Sequence, residues 1–309
     1  MIAFVFPGQG SQSVGMGRDL SERFAVCRTT FDEADEALDA PISRLCFEGP
    51  EAELQLTVNA QPAILAVSVA ALRAAAAEGI RPDIVAGHSL GEYSALVAAG
   101  ALSFGDALRL VRKRGAYMQE ATPLGVGAMA AIMGLDAITV QEICRSVATR
   151  DEIVSAANLN APGQTVISGH AGAVDRAVAL AQEKGARRAM RLQVSAPFHC
   201  ALMQPAADRL AADLAATRFS DLRVPLVANT TAQPTRSGSQ AREALVAQVT
   251  APVLWEQSVR TMAELGVRKA IEVGPGKVLM GLMKRIEANI ALAAAGDSGS
   301  VAALKEFVS

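Results

Sequence analysis

The chain has 309 residues, 51% apolar and only 4% aromatic, with a formal net charge of −2. That length suits one large or two smaller domains with a sizeable core. The slightly acidic balance supplies no basic field, so a nucleic-acid partner is not expected. Alanine dominates the apolar set, and such small side chains predict helices packed closely against a sheet.

In chain order, "IAFVF" (2–6) reads as a first strand, ended by "PGQG". It has no basic lead and is too short for a signal peptide, so a cytoplasmic protein is expected. The apolar run "AILAVSVAAL" (63–72) is broken by Ser68 and closed by Arg73, short of a membrane span, so no membrane partner is expected either. "RPDIVAG" (81–87) is a second strand running into "SLGEYSALVAAGAL", a helix with Leu90, Tyr93, Ala95 and Leu96 on its packing side. "SFGDALRLVRKRGAYMQEA" is a further helix, opened by Ser103 and Asp106 at capping spacing.

The middle third changes character. "GAMAAIMG", "DAITVQEICRSVA", "EIVSAANLN", "GQTVISG", "AGAVDRAVALAQEKG" and "ARRAMRLQV" alternate strand and helix as β-α-β-β-α-β between Gly127 and Val194. That order is the ferredoxin-like arrangement. The expected fold is therefore α/β: a large catalytic domain from residues 1–125 and 196–309, with a small ferredoxin-like domain, residues 126–195, inserted into it. Strands are expected near "VPLVANT" and at "VRKAIEVG" (267–274), and "TTAQPTRSGSQ" (230–240) reads as an exposed loop.

Within "GHSLGEY", Ser89 stands between glycines in the spacing G-x-S-x-G, after a strand and before a helix. A sharp turn there lifts a serine oxygen above the sheet edge and aims the unpaired N–H groups of the helix end, notably that of Leu90, at a developing oxyanion. A serine nucleophile needs a base, and the chain has three histidines. His88 adjoins Ser89, so its ring points elsewhere. His170 in "SGHAGAV" reads as a capping or solvated residue. His199, in "SAPFHCALM", lies where the chain leaves the inserted domain, and a junction between domains is where a cleft forms. It is the best candidate. No acid stands out to orient its ring: Asp106, Asp136, Asp151 and Asp175 all read as caps or surface charges.

At about 100° per residue, Ala107, Leu110, Val111 and Met118 form one apolar stripe, with Arg109, Arg112 and Lys113 opposite. Arg114 falls inside the stripe. An arginine is almost never buried unpaired, so Arg114 meets either an internal carboxylate or a ligand's anion. "PGQGSQ" offers a second backbone N–H toward an oxyanion, and "EVGPGKVL" lacks phosphate-loop spacing and reads as a turn with Lys277 at a helix start. Cys27, Cys46, Cys144 and Cys200 lie far apart without metal-ligand spacing; they read as reduced packing residues, and neither a metal nor another cofactor is expected.

"FPGQGSQ", "NAQPAI", "GHSLGEYSALVAAGAL", "RGAYMQ", "NLNAPGQTVISG", "APFHCALM" and "EVGPGKVL", in this order over the whole chain, resemble the malonyl-CoA:acyl carrier protein transacylase family. The resemblance implies an α/β hydrolase-like (acyltransferase/patatin-like) domain with a nucleophile elbow. It implies Ser89 as nucleophile, His199 as base and Arg114 as the clamp for the malonyl carboxylate. Backbone N–H groups of Gln9 and Leu90 would form the oxyanion hole, and Gln61, Asn160 and Gln248 would line or support the cleft. It also implies a main-chain carbonyl near Gln248 orienting the histidine, which fits the missing acid, and Phe198 before His199 is similar to malonyl-selective members. The implied substrate is malonyl-CoA, and the implied partner an acyl carrier protein. Such carriers are acidic as a class, so their landing place should be a local basic patch; "KGARRAMR" offers Lys184, Arg187, Arg188 and Arg191.

A thiol ionises near pH 8.5 and water near 15.7, so a base without a carboxylate partner favours a pantetheine thiol as acceptor over water. The expected activity is malonyl transfer from CoA to the carrier by a ping-pong route, supplying extender units for fatty-acid synthesis. The alternatives are a trans-acting acyltransferase for a polyketide synthase and a serine thioesterase or hydrolase, which would want an acid partner and has no use for Arg114.

Overall fold

A computed structural model describes residues 1–194 and 196–309. Its strands are β1 (Ile2–Phe6), β2 (Ile84–Gly87), β3 (Gly127–Met133), β4 (Val154–Ala161), β5 (Gln164–His170), β6 (Arg188–Arg191), β7 (Leu226–Val227), β8 (Pro234–Thr235), β9 (Lys269–Val273) and β10 (Ala291–Ala295). They form a six-stranded sheet, ordered β10-β9-β1-β2-β7-β8, and a four-stranded sheet, ordered β4-β5-β3-β6.

The larger sheet is parallel except where β8 turns back on β7. A parallel sheet must be covered on both faces, and its strands show it. Phe4, Phe6 and Val85 enter one apolar cluster with the helix Thr57–Ala77, while Ala3, Val5, Ile84 and Ala86 enter another with Trp255, Val259 and Met283. In the register of β1 against β2, Phe6 pairs with Gly87. The loops leaving these two strands therefore emerge side by side, between the two directions in which the sheet is built out from β1, where α/β sheets form a crevice. Gln9 is on one loop and Ser89 on the other.

The chain between β3 and β6 runs strand, helix (Ala137–Val147), strand, strand, helix (Ala171–Glu183), strand, all pairing antiparallel. Alternate residues of β3 (Ala128, Ala130, Ile132) face the two helices in a separate cluster, while Met129 joins the large core. β4 is also tied to the larger lobe by backbone hydrogen bonds from Leu159 N to Val253 O and from Val253 N to Ala157 O, both 2.9 Å.

Three expectations need correction. The apolar run at 63–72 belongs to a longer helix, Thr57–Ala77, which by length and composition alone could cross a membrane; most of its residues are instead buried in the core. The segment 230–240 is not all loop. Its Pro234–Thr235 pairs with β7, and Ser237 caps the helix Gly238–Gln248 by accepting from Gln240 N. The strand expected at 267–274 is trimmed to Lys269–Val273.

Candidate active site

The turn carrying Ser89 is shaped by the glycines on either side. A Cβ on Gly91 would sit 2.0 Å from Phe6 O, and one on Gly87 would sit 2.0 Å from Gly91 carbonyl atoms, so the strand, the turn and the helix Gly91–Ala98 meet more closely than any side chain allows. Ser89 itself takes φ 52°, a left-handed conformation that non-glycine residues rarely adopt. Asn229, beyond the end of β7, braces the turn from below: its Oδ1 accepts from Ser89 N at 2.7 Å and its Nδ2 donates to Gly87 O at 2.6 Å.

His199 comes to the serine from the segment after β6, also in a left-handed conformation at φ 59°. Nε2 lies 2.7 Å from Ser89 Oγ, and Nδ1 lies 2.8 Å from the main-chain carbonyl oxygen of Gln248. A carbonyl can only accept, so Nδ1 carries the proton and Nε2 is left to accept from the serine hydroxyl. Burial, and secondarily the charge of Arg114, lower the His199 pKa to about 3, so the ring is neutral at physiological pH.

Arg114 is 2% exposed. Gly115 brings its helix, Phe104–Glu120, against Thr57–Ala77: a Cβ there would lie 2.7 Å from Thr57 O. The guanidinium donates from Nη1 to Gln61 Oε1 (2.8 Å) and from Nη2 to Gln248 Oε1 (2.8 Å) and Ser89 Oγ (3.0 Å). Its Nε is buried with no hydrogen-bond partner among the described residues. Of the two environments the sequence allows, an internal carboxylate or a ligand's anion, no carboxylate makes direct contact among the described residues. A planar fork with spare donors beside a serine suits a carboxylate on the acyl group that serine would carry.

Neither the N–H of Leu90 nor that of Gln9 donates to a partner among the described residues; Leu90 is the residue before the first turn of Gly91–Ala98, where such groups are free. The side chain of Gln9 donates to Thr57 Oγ1 at 3.1 Å. Asn160, at the end of β4, does not touch the serine; its Oδ1 meets His88 Nε2 at 2.8 Å, joining the small lobe to the turn. The His88 ring leans on Trp255 with centroids 5.7 Å apart. Phe198 is buried beside His199. His170 lies away from the site, its Nδ1 accepting from Ile153 N at 3.0 Å. Cys200 is buried, and burial raises the pKa of its thiol.

Two residues around the serine carry no signal in the sequence. Asn229 follows a two-residue strand and belongs to no motif. Glu92 looks like any acid in a first helical turn, where it suits the dipole; in the fold it is fully buried, which raises its pKa to about 7, and it accepts from Gln248 Nε2 at 2.6 Å.

This site can activate a serine, hold an oxyanion on backbone N–H groups and engage an anionic acyl group. Residues 3–295 match the model of the acyl transferase domain family. The chain is 49% identical to the malonyl CoA-acyl carrier protein transacylase of Bacillus subtilis strain 168, over 97% of its length and 95% of the relative's. It is also 49% identical to that of Escherichia coli K12, over 99% of both. Among solved structures, the malonyl CoA-acyl carrier protein transacylase of Coxiella burnetii superposes with a TM-score of 0.96 at 43% identity, over 99% of this chain and 96% of the other. A malonyl-transacylase in complex with a type II PKS acyl-carrier protein gives the same TM-score at 46% identity, over 99% of both. The chain thus belongs to the acyl transferase domain family and, within it, to the malonyl CoA-acyl carrier protein transacylases.

Proposed function

We propose that this protein transfers the malonyl group of malonyl-CoA to the phosphopantetheine thiol of an acyl carrier protein, supplying extender units for fatty-acid synthesis. One observation carries the reading: Ser89 Oγ lies within hydrogen-bond reach of a neutral imidazole on one side and a buried guanidinium on the other. The fold supports it in finer terms. Ser89 sits on a nucleophile elbow of a hydrolase-like domain, residues 1–125 and 196–309, into which a ferredoxin-like domain, residues 126–195, is inserted. The antiparallel β-α-β-β-α-β unit and the left-handed backbone at Ser89 support that division.

In the first half-reaction, Ser89 Oγ attacks the thioester carbonyl while Nε2 of His199 takes its proton. The oxyanion accepts from the N–H groups of Gln9 and Leu90. Collapse breaks the carbon–sulfur bond, and the imidazolium returns its proton to the CoA thiolate. Arg114 holds the free carboxylate of the malonyl-Ser89 ester. In the second half, the carrier thiol gives its proton to Nε2 and attacks the ester, and His199 reprotonates Ser89 as it leaves. Gln248 serves both partners, its carbonyl fixing His199 and its side chain fixing Arg114. Gln61 holds the other arm of the guanidinium, and Asn160 and Phe198 shape the surround.

Intact-mass analysis after malonyl-CoA tests this. The expected result is a gain of one malonyl group that added carrier removes. A protein that gains nothing, or that loses its adduct to water as fast as to carrier, is not this enzyme.

A further inference from the structure

One carboxyl group beside the site is fully enclosed, and none of the steps above uses it. Glu92 lies in the first turn of the helix Gly91–Ala98. Its Oε2 accepts from Gln248 Nε2 at 2.6 Å, and the main-chain N–H of Asn229 lies 3.4 Å from each of its oxygens. The other end of the same amide, Gln248 Oε1, accepts from Arg114 Nη2 at 2.8 Å. Gln248 Nε2 also lies 3.0 Å from Ser89 O.

A primary amide has a donor end and an acceptor end, and which is which follows from its neighbours. A guanidinium only donates. The carboxyl oxygen and the Ser89 carbonyl accept. These neighbours permit one orientation of the Gln248 amide and forbid the flipped one, which would set N–H against N–H at Arg114.

We propose that Glu92 is a positioning residue for acyl-group selection: it locks the Gln248 amide with its oxygen toward Arg114, and so holds the guanidinium in the plane that a dicarboxylic acyl group needs. The inference rests on the malonyl-transfer reading and deepens it. A carboxyl in direct contact with Arg114 would pair with it and compete with the substrate's own carboxylate. With no carboxyl behind it, the amide would keep Arg114 and the longer contact to Ser89 O but lose its shortest one, and would be held in its plane less firmly. One amide between the two groups gives orientation while leaving the arginine open to substrate.

The test compares kcat/KM for malonyl-CoA and acetyl-CoA in Glu92→Leu, Glu92→Asp and Glu92→Gln. The first two cannot reach Gln248 Nε2. They are expected to lower the malonyl value relative to the acetyl value by about tenfold or more, chiefly through KM, as losing one hydrogen bond in a charged network would. Glu92→Gln keeps an acceptor oxygen at the same reach and should restore most of the preference. Equal losses on both substrates in Glu92→Leu and Glu92→Asp, or Glu92→Gln as unselective as Glu92→Leu, would overturn the proposal. Should Glu92→Leu fail to fold, the contrast between Glu92→Asp and Glu92→Gln decides alone. Failure of the underlying reading looks different: the unmodified protein would then form no malonyl-Ser89 ester, whatever position 92 carries.

Discussion

His199 Nδ1 donates to the main-chain oxygen of Gln248 across 2.8 Å, the place where a triad would put a carboxylate. A carbonyl fixes the tautomer as an acid does but adds no negative charge to stabilise the imidazolium. The resulting base is weaker, which matters little for a thiol and much for water. Removing it should still be costly. His199→Ala is expected to slow acylation by malonyl-CoA about 10²- to 10⁴-fold, the usual worth of a positioned proton carrier. Ser89→Ala should abolish the adduct on intact-mass analysis, and His170→Ala should change little. An adduct surviving on Cys200 would show that the nucleophile had been misassigned.

Arg114→Ala should invert the substrate preference. Losing one partner of a buried, hydrogen-bonded ion pair costs about 2–5 kcal/mol, or roughly 30- to several-thousand-fold in kcat/KM for malonyl-CoA. Acetyl-CoA has no carboxylate to lose, so its transfer should stay level or improve. Arg114→Lys should also be impaired, since a point charge cannot reproduce the fork held by Gln61 and Gln248. Equal loss on both substrates would make Arg114 purely structural.

The acid limb of the rate profile follows from the His199 pKa, lowered from 6.5 to about 3. With the neutral ring as the proposed base, acylation should show no loss from its protonation as pH falls from 8 to 5; an inflection near 6.5 belonging to His199 would contradict its burial. Stability has a matching sign. The folded-state value is depressed, so the stability associated with the neutral ring is present above pH 6.5 and is lost as pH falls toward 3. His199→Gln should therefore melt with a smaller drop between pH 6.5 and 4 than the unmodified protein.

Carrier docking is expected on the small lobe, where Lys184, Arg187 and Arg188 are exposed. Arg191 is a poorer contributor than its sequence position suggests, because it forks onto Asp175 at 2.5 and 2.6 Å. Reversing the charges of Arg187 and Arg188 should raise KM for the carrier and leave acylation by CoA unchanged. Equal effects on both half-reactions would place the docking surface elsewhere.

Much of this site can be read from the chain because each part leaves a local mark. Ser89 sits in a glycine-flanked turn between strand and helix, and Arg114 breaks an apolar stripe in which a charge is conspicuous. The small lobe is periodic only in part: Ala128, Ala130 and Ile132 of β3 face the helices, whereas β4 and β5 run buried through most of their length and are read from their apolar runs and the turn between them. What the sequence hides is assembled from afar. Asn229 and Gln248 act on Ser89 from residues 140 and 159 positions away, through contacts that no periodicity encodes. Glu92 is disguised by a location in which an acid is ordinary. The 230–240 segment misleads for a related reason: its polar, turn-rich composition conceals a two-residue strand that exists only because β7 is there to pair with it.

Ser89 and His199, whose side chains meet at 2.7 Å, both hold backbone angles that glycine tolerates and other residues resist. Each such residue costs a fold about 1–3 kcal/mol. In the proposed mechanism these are the two reacting groups, and the main chain sets the direction in which each side chain leaves the backbone before substrate arrives. Ser89→Gly, though inactive, should melt at a higher temperature than the unmodified protein. With Ser89 and His199 in their proposed roles, heat resistance and turnover are opposed at these two positions, and selection for thermal hardiness alone would erode the enzyme from its centre.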